Sequence, residues 1–340
     1  MLNNSAIDLA NLENLPSPSV IIDVNRDNFV EKVSQFYQPV VLKGFASDWK
    51  IVQQAKKSLS SVAEYLKTFD EQQNLKLVGL TADTAGRMFY NHDLSGMNFS
   101  VSNTTLSDSI DLMFNAGSKT RYCLQSLSLK QYFPQLISQL PNKVLPQTQP
   151  FIWIGNQVTV APHFDEANNI AVVAAGKRRF TLFPPEQIKN LYIGPLDFNP
   201  AGQPISLVNL RAPDMQQFPL YAQAYANALS VELEAGDAIY IPTPWWHHVE
   251  SLSPFNVLIN YWWSENRVSS QLPFPMLIHA LQAFKNMPQE QQKAWQSILQ
   301  YYLFEQTDNS HIPQAAQGIL GQPSASTANF IHQWLASQIK

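Results

Sequence analysis

Two short stretches carry the residues best suited to bind and activate a ligand. One is His163-Phe164-Asp165; the other, far along the chain, is Pro244-Trp245-Trp246-His247-His248-Val249-Glu250. Side chains alternate along a strand, so in an extended first stretch His163 and Asp165 point to one face. A third ligand from the second stretch then completes a two-histidine, one-carboxylate set. Such a set grips a divalent metal from one side and leaves three positions open, the arrangement of non-haem Fe(II) sites that handle O₂. With seven histidines in the chain, one His-x-Asp arises easily by chance, and each residue taken singly reads as a structural histidine or a packed aromatic. His247 and His248 fall on opposite faces of any strand, and periodicity alone leaves open which one turns inward.

The whole chain sets bounds. At 340 residues and 45% hydrophobic it can bury a large core. A formal charge of −4 argues against a broad nucleic-acid-binding surface. The lone Cys123 excludes an internal disulfide framework and any Cys-rich zinc or iron–sulfur site, and fits a reducing compartment. The start, Met1-Leu2-Asn3-Asn4-Ser5-Ala6-Ile7-Asp8, lacks the basic residues and long apolar run of a secretory signal. No apolar run reaches the roughly 18 residues of a membrane helix, so none is expected and the cytoplasm is the expected location.

Rigid strands must position the ligands. Pro39 to Gly44 reads as a strand closed by glycine, and Ser58 to Phe69 has helical spacing with Ser60 as its cap. From about Phe151 to Trp263, short alternating or apolar runs broken by Gly, Pro and Asn predict a β-sandwich or barrel. Within it, the runs 170–175 and 178–183 flank Gly176-Lys177, the spacing of a two-residue hairpin with glycine first. Val231 to Glu234 and Ala238 to Ile241 flank a turn at Ala235-Gly236-Asp237, and Asn256 to Trp263 is a further strand with Asn260 and Trp262 on one side. Helices are expected over Met276 to Met287 and Gln289 to Phe304. Their apolar stripe serves either as a cover on the barrel or as a dimerisation hairpin. The domain reading is a lead segment over 1–35, a β domain over 36–265 and a helical extension over 266–340.

An acidic co-substrate would need a cation, which Lys177, Arg178 or Arg179 supplies unless all three are solvated turn charges. Asn169 and Asn260, polar residues among apolar strands, need partners if buried and are site candidates.

In these residues the chain resembles the JmjC/cupin-like 2-oxoglutarate oxygenases, within them the branch of the asparaginyl hydroxylase that acts on hypoxia-inducible factor. His163 to Ile170 with Gly176 to Pro185 is similar to the family's first ligand strand and hairpin. Gly236 to Ser251 is similar to its distal ligand segment, and Asn256 to Trp262 to the strand that follows. Weaker similarity reaches Pro39 through Trp49 and Arg87 through Phe99. The resemblance implies a double-stranded β-helix, or jelly roll, with flanking helices. It makes His163, Asp165 and His247 the iron ligands and lines the co-substrate site with Asn169, Asn260, Trp262, Tyr122 and Gln125. The family's lysine for the distal carboxylate of 2-oxoglutarate falls on Arg178, whose fork also binds carboxylates but with different reach. A family threonine is Val160 here, and a family tyrosine falls on Cys123 or, one residue slipped, on Tyr122.

The implied activity is hydroxylation of a protein side chain, RNA base or small molecule with Fe(II), 2-oxoglutarate and O₂; the implied assembly is a homodimer through the C-terminal helices. The competing readings are a non-oxygenase cupin that uses Zn²⁺ or Mn²⁺ for hydrolysis, isomerisation or sugar binding, and a degenerate fold acting as an interaction module.

Overall fold

The computed structural model describes residues 8–338, apart from 116, 118–119, 201, 266–272 and 306–307. Their strands, β1 to β14 in chain order, form two sheets. The larger runs β1 (Ser19–Ile21), β2 (Val40–Leu42), β12 (Ala238–Ile241), β9 (Asn168–Ala175), β14 (Asn256–Trp263), β7 (Pro150–Gly155), β6 (Thr120–Ser128), β3 (Leu75–Thr81), β5 (Ser100–Thr104). The smaller runs β11 (Leu229–Glu234), β10 (Lys177–Phe183), β13 (Trp246–Ser251), β8 (Thr159–His163), β4 (Arg87–Met88). Ala171, Val173, Ile239 and Leu258 of the larger sheet pack directly on Phe180, Leu182, Leu233 and Val249 of the smaller. This is the jelly roll expected, a mainly β fold with flanking helices.

Period-2 alternation explains why the strands are so apolar. Every residue of β9 is buried because both of its faces are covered. Ala171 and Val173 face the other sheet, while Ile170, Val172 and Ala174 join Ile51, Val52, Val62, Leu66 and Ile110 from helices on the outer side. The smaller sheet is covered likewise: Phe183 and Trp246 pack outward against Leu12, Leu191, Val208, Leu210, Phe218 and Tyr221.

Four expectations change. Gly176 closes no hairpin, since β9 and β10 belong to different sheets. A two-residue break between alternating runs looks the same whether the chain folds back or crosses to the facing sheet. Glycine is required there because φ is +76° and a Cβ would meet the Phe255 carbonyl oxygen at 2.7 Å and Asn256 Oδ1 at 2.5 Å. Secondly, helix Leu59–Lys67 is capped by Ser58, whose Oγ accepts from Ser61 N at 3.0 Å, and not by Ser60. Thirdly, the lead segment does not stand apart: β1 pairs in parallel with β2 and Leu12 is fully buried. Contacts divide the chain into Met1–Trp263 and Ser264–Lys340. Residues 266–272, where the extension was expected to begin, lie outside the described residues, as do residues 1–7.

Lastly, Tyr122 packs toward the outer cluster beside Leu124, so it faces away from the barrel interior; alternation turns its neighbour Cys123 inward instead.

The second unit contains helices Pro273–Phe284, Gln289–Leu299 and Ala325–Gln338, none with a buried residue. Phe284 and Trp295 meet with ring centroids 5.7 Å apart. Among the described residues no helix is long and apolar enough to cross a membrane.

Candidate metal centre

His163 ends β8 and stands opposite His247 of β13 in register. Their rings are 4.2 Å apart between centroids, tilted by 52°. Each ring is aimed by its own backbone: His163 Nδ1 lies 2.9 Å from the Ala161 carbonyl, and His247 Nδ1 3.1 Å from that of Trp245. A carbonyl only accepts, so Nδ1 carries the hydrogen in both rings and Nε2 keeps its lone pair. Asp165 lies just past the end of β8, on the same side as His163 as alternation requires, while Phe164 between them packs edge-on against Trp246. Asp165 Oδ2 is 3.7 Å from His247 Nε2. The three residues' ligand atoms all lie within 4.8 Å of one another.

The donor set fits a divalent cation. Burial, reinforced by the nearby His163, holds His247 below the ordinary histidine range although Asp165 pulls it up, so its imidazole is neutral and its lone pair available. His248, the other candidate, is also buried and pushed down to about 4, chiefly by burial, but it faces the outer layer with Thr181 opposite it in register. It is not part of the cluster.

Of the residues expected to line the co-substrate site, Trp262 and Asn169 contact Asp165 and Asn260 contacts Asn169. Trp262 Nε1 donates to Asp165 Oδ2 at 2.9 Å, Asn169 Nδ2 to the same oxygen at 3.4 Å, and Asn260 Nδ2 to Asn169 Oδ1 at 2.9 Å. The Asp165 carbonyl accepts from Thr243 Oγ1 at 2.6 Å. Such partners fix ligand direction and basicity in metal sites. Asn260 Oδ1 has no partner among the described residues.

Arg178 points into the barrel with Phe180 and Leu182 and is fully buried beside Cys123. Burial lowers its pKa to about 10, and the same burial pushes the Cys123 thiol up to about 12. Arg178 makes no ion pair among the described residues, and its Nε has no partner. Gln125 shares the inward face of β6 with Cys123 and donates to Met88 Sδ at 3.4 Å. Lys177, by contrast, is exposed and pairs with Glu234 at 2.7 Å.

Sequence reasoning missed the outer face. Arg211 grips Glu250 with two bonds of 2.7 and 2.8 Å and reaches Glu13 at 3.0 Å. Arg179 pairs with Glu13 at 2.8 Å, Glu250 at 3.3 Å, and Glu232. Glu250 lay within the ligand motif; Arg211 carried no signal. Trp153 was not singled out from the sequence at all.

The family described as "Cupin-like domain" matches residues 26–268, more than half of the chain. The chain belongs to this cupin-like family. Curated relatives of this cupin-like chain include HSPB1-associated protein 1 homolog of Danio rerio, 34% identical over 113 residues that make up 33% of this chain and 24% of the relative. tRNA wybutosine-synthesizing protein 5 of Mus musculus is 35% identical over 101 residues, 30% of this chain and 29% of the relative. Lysine-specific demethylase JMJ31 of Arabidopsis thaliana is 31% identical over 108 residues, 32% and 19% respectively. The match thus spans under a third of each relative's own length. Names of JmjC type among them support a place in the JmjC oxygenase family.

Proposed function

We propose that this protein is an Fe(II)- and 2-oxoglutarate-dependent oxygenase that hydroxylates a protein side chain, an RNA base or a small molecule. The observation that carries the reading is the convergence of His163, Asp165 and His247 in a barrel whose interior also buries an arginine with no carboxylate of its own. His163, Asp165 and His247 hold the metal, which when bound supplies the site for O₂ and for the 2-oxo acid's chelating end. Arg178 pairs with the distal carboxylate; an isolated buried cation costs several kcal/mol, which a charged partner offsets. Trp262 and Asn169 hold the Asp165 carboxylate in place, and Asn260 holds Asn169. The apolar walls formed by Phe180, Leu182, Val249 and Leu258 exclude water from the reactants. The free Cys123 and an oxidisable metal suit a reducing, cytoplasmic setting.

The relatives' names point to substrates as different as a lysine-bearing protein and a tRNA base, so the test is an untargeted screen. Peptide, RNA and metabolite pools are incubated with the iron-loaded protein, and products are scored for the mass of one added oxygen together with succinate. Matched amounts of both are expected. Metal-dependent turnover that proceeds without O₂ and without succinate sinks the oxygenase and supports a Zn²⁺ or Mn²⁺ cupin instead.

A further inference from the structure

Arg178 is not the only unpaired donor inside the barrel. Trp153 lies on β7 opposite Leu258 of β14. It packs against two groups of side chains at once: the interior cluster of Phe180, Leu182, Val249 and Leu258, and a neighbouring one of Val78, Leu80, Met88, Cys123 and Val158. Cys123 is also the group beside Arg178, so indole and guanidinium reach the same end of the interior. Among the described residues the Trp153 Nε1 hydrogen is buried with no acceptor, and so is that of Arg178 Nε. No carboxylate pairs with Arg178 among the described residues.

Buried donors without partners are rare, and two at one place need an acceptor that the protein does not provide. A water molecule satisfies an N–H but leaves the guanidinium charge uncompensated. A carboxylate satisfies both: it only accepts, offers about four lone-pair sites, and carries the opposite charge. The positions where the resemblance expects hydroxyl groups are Val160 and Cys123 here, which leaves Gln125 Nε2, already bonded to Met88 Sδ, and the unpartnered Trp153 indole as neutral donors near Cys123.

We propose that Trp153 is a carboxylate-binding residue that donates Nε1–H to the distal carboxylate paired with Arg178. The proposal rests on the 2-oxo acid reading above and adds a residue to it. A pair of donors of this kind also favours a carboxylate over a terminal amide, whose NH₂ would meet the N–H groups of Trp153 and Arg178.

The test uses the full chain loaded with Zn²⁺ without oxygen, and two probes: 2-oxoglutarate, and pyruvate, which has the same chelating end and no distal carboxylate. W153F keeps an aromatic body and removes the N–H. It is expected to weaken 2-oxoglutarate binding about tenfold, the size of one hydrogen bond to a charged group, with pyruvate and Zn²⁺ affinities unchanged. Unchanged 2-oxoglutarate affinity overturns the proposal, as does an equal loss for both probes, which marks a packing role. An intact protein that binds 2-oxoglutarate no more tightly than pyruvate overturns the co-substrate reading itself. If W153F does not fold, the ¹⁵N–¹H spectrum of the intact protein reads the same bond: one of the eight tryptophan indole signals moves downfield with 2-oxoglutarate and not with pyruvate. Eight unmoved signals overturn the proposal.

Discussion

The inner and outer faces of the smaller sheet share their strands, yet treat the same residue types in opposite ways. Arg178 and Arg179 are neighbours on β10. Arg178, on the inner face, is buried with no carboxylate; Arg179, on the outer face, meets Glu13, Glu232 and Glu250. His247 and His248 are neighbours on β13, and only His247 joins the cluster with His163 and Asp165. On the outer face the charges of Arg179, Arg211, Glu13 and Glu250 are satisfied within the protein. On the inner face charges and lone pairs are directed at one another or at nothing. Unpartnered buried atoms occur on the outer face too, at His248 and Thr181; what marks the inner face is a buried cation without a carboxylate among the described residues together with the cluster of His163, Asp165 and His247.

The largest expected effect separates the two histidines. His247→Ala, like His163→Ala or Asp165→Ala, should abolish iron binding and turnover, whereas His248→Ala should keep both. Iron content after desalting, read beside succinate release, decides this; full occupancy in His247→Ala with loss in His248→Ala would reverse the two faces.

The arginines should part next. Arg178→Ala is expected to weaken 2-oxoglutarate binding about 100-fold, since a fork of charged hydrogen bonds is lost, with little cost in stability. Arg179→Ala should leave that affinity alone and destabilise the fold by about 3 kcal/mol, the cost of breaking a buried ion network. Calorimetric binding and urea unfolding on both variants test the crossing; an unchanged affinity in Arg178→Ala points to another anchor.

A smaller effect is expected with acid. Burial alone would raise the Glu250 carboxyl, but the Arg211 hydrogen bond and the charges of His248, Arg211 and Arg179 bring it below its ordinary 4.5. A depressed folded-state pKa stabilises fully above the unfolded value and is lost as pH falls through the folded one. Glu250→Gln should therefore be less stable than the intact protein at neutral pH, and the gap should close below about pH 4.5. A gap independent of pH removes the network from the account.

The smallest effect on either face is expected from the second unit. Leu277, Ile278, Leu281, Trp295, Ile298 and Tyr302 present apolar surface on helices that bury none of their residues. The expectation is a homodimer through these helices. Light scattering should show a dimer for the intact chain and a monomer when Leu281 and Leu299 are made polar, with iron and 2-oxoglutarate binding unaltered; a monomeric intact chain at micromolar concentration rejects the assembly.

Much of the inner face was legible in the sequence because the cluster's residues leave a short signature: His163 and Asp165 two apart, His247 within an unusual aromatic run. The strand region from about Phe151 to Trp263 was legible through alternating and apolar runs. What alternation does not encode is which sheet a strand joins, hence the misread hairpin at Gly176. Nor does it give the absolute face of a strand, hence Tyr122 in place of Cys123. The outer network escaped notice because Glu13, Arg179, Arg211 and Glu250 meet only after folding. Trp153 escaped because an unpaired N–H is a property of surroundings and not of residue type.

Gly176 sets the phase of everything beyond it. One residue inserted at this crossover and taken up as a one-residue slip of β10 against β13 would turn Arg178 to the outer face and bring Arg179 to the inner wall. Both side chains would survive in the sequence, and a comparison of composition would find nothing lost. The crossover thus behaves as a frame, in the sense that a reading frame does: its length carries the meaning. Loop-length changes at this point in related chains would be expected to travel with a compensating change in which basic residue follows the glycine.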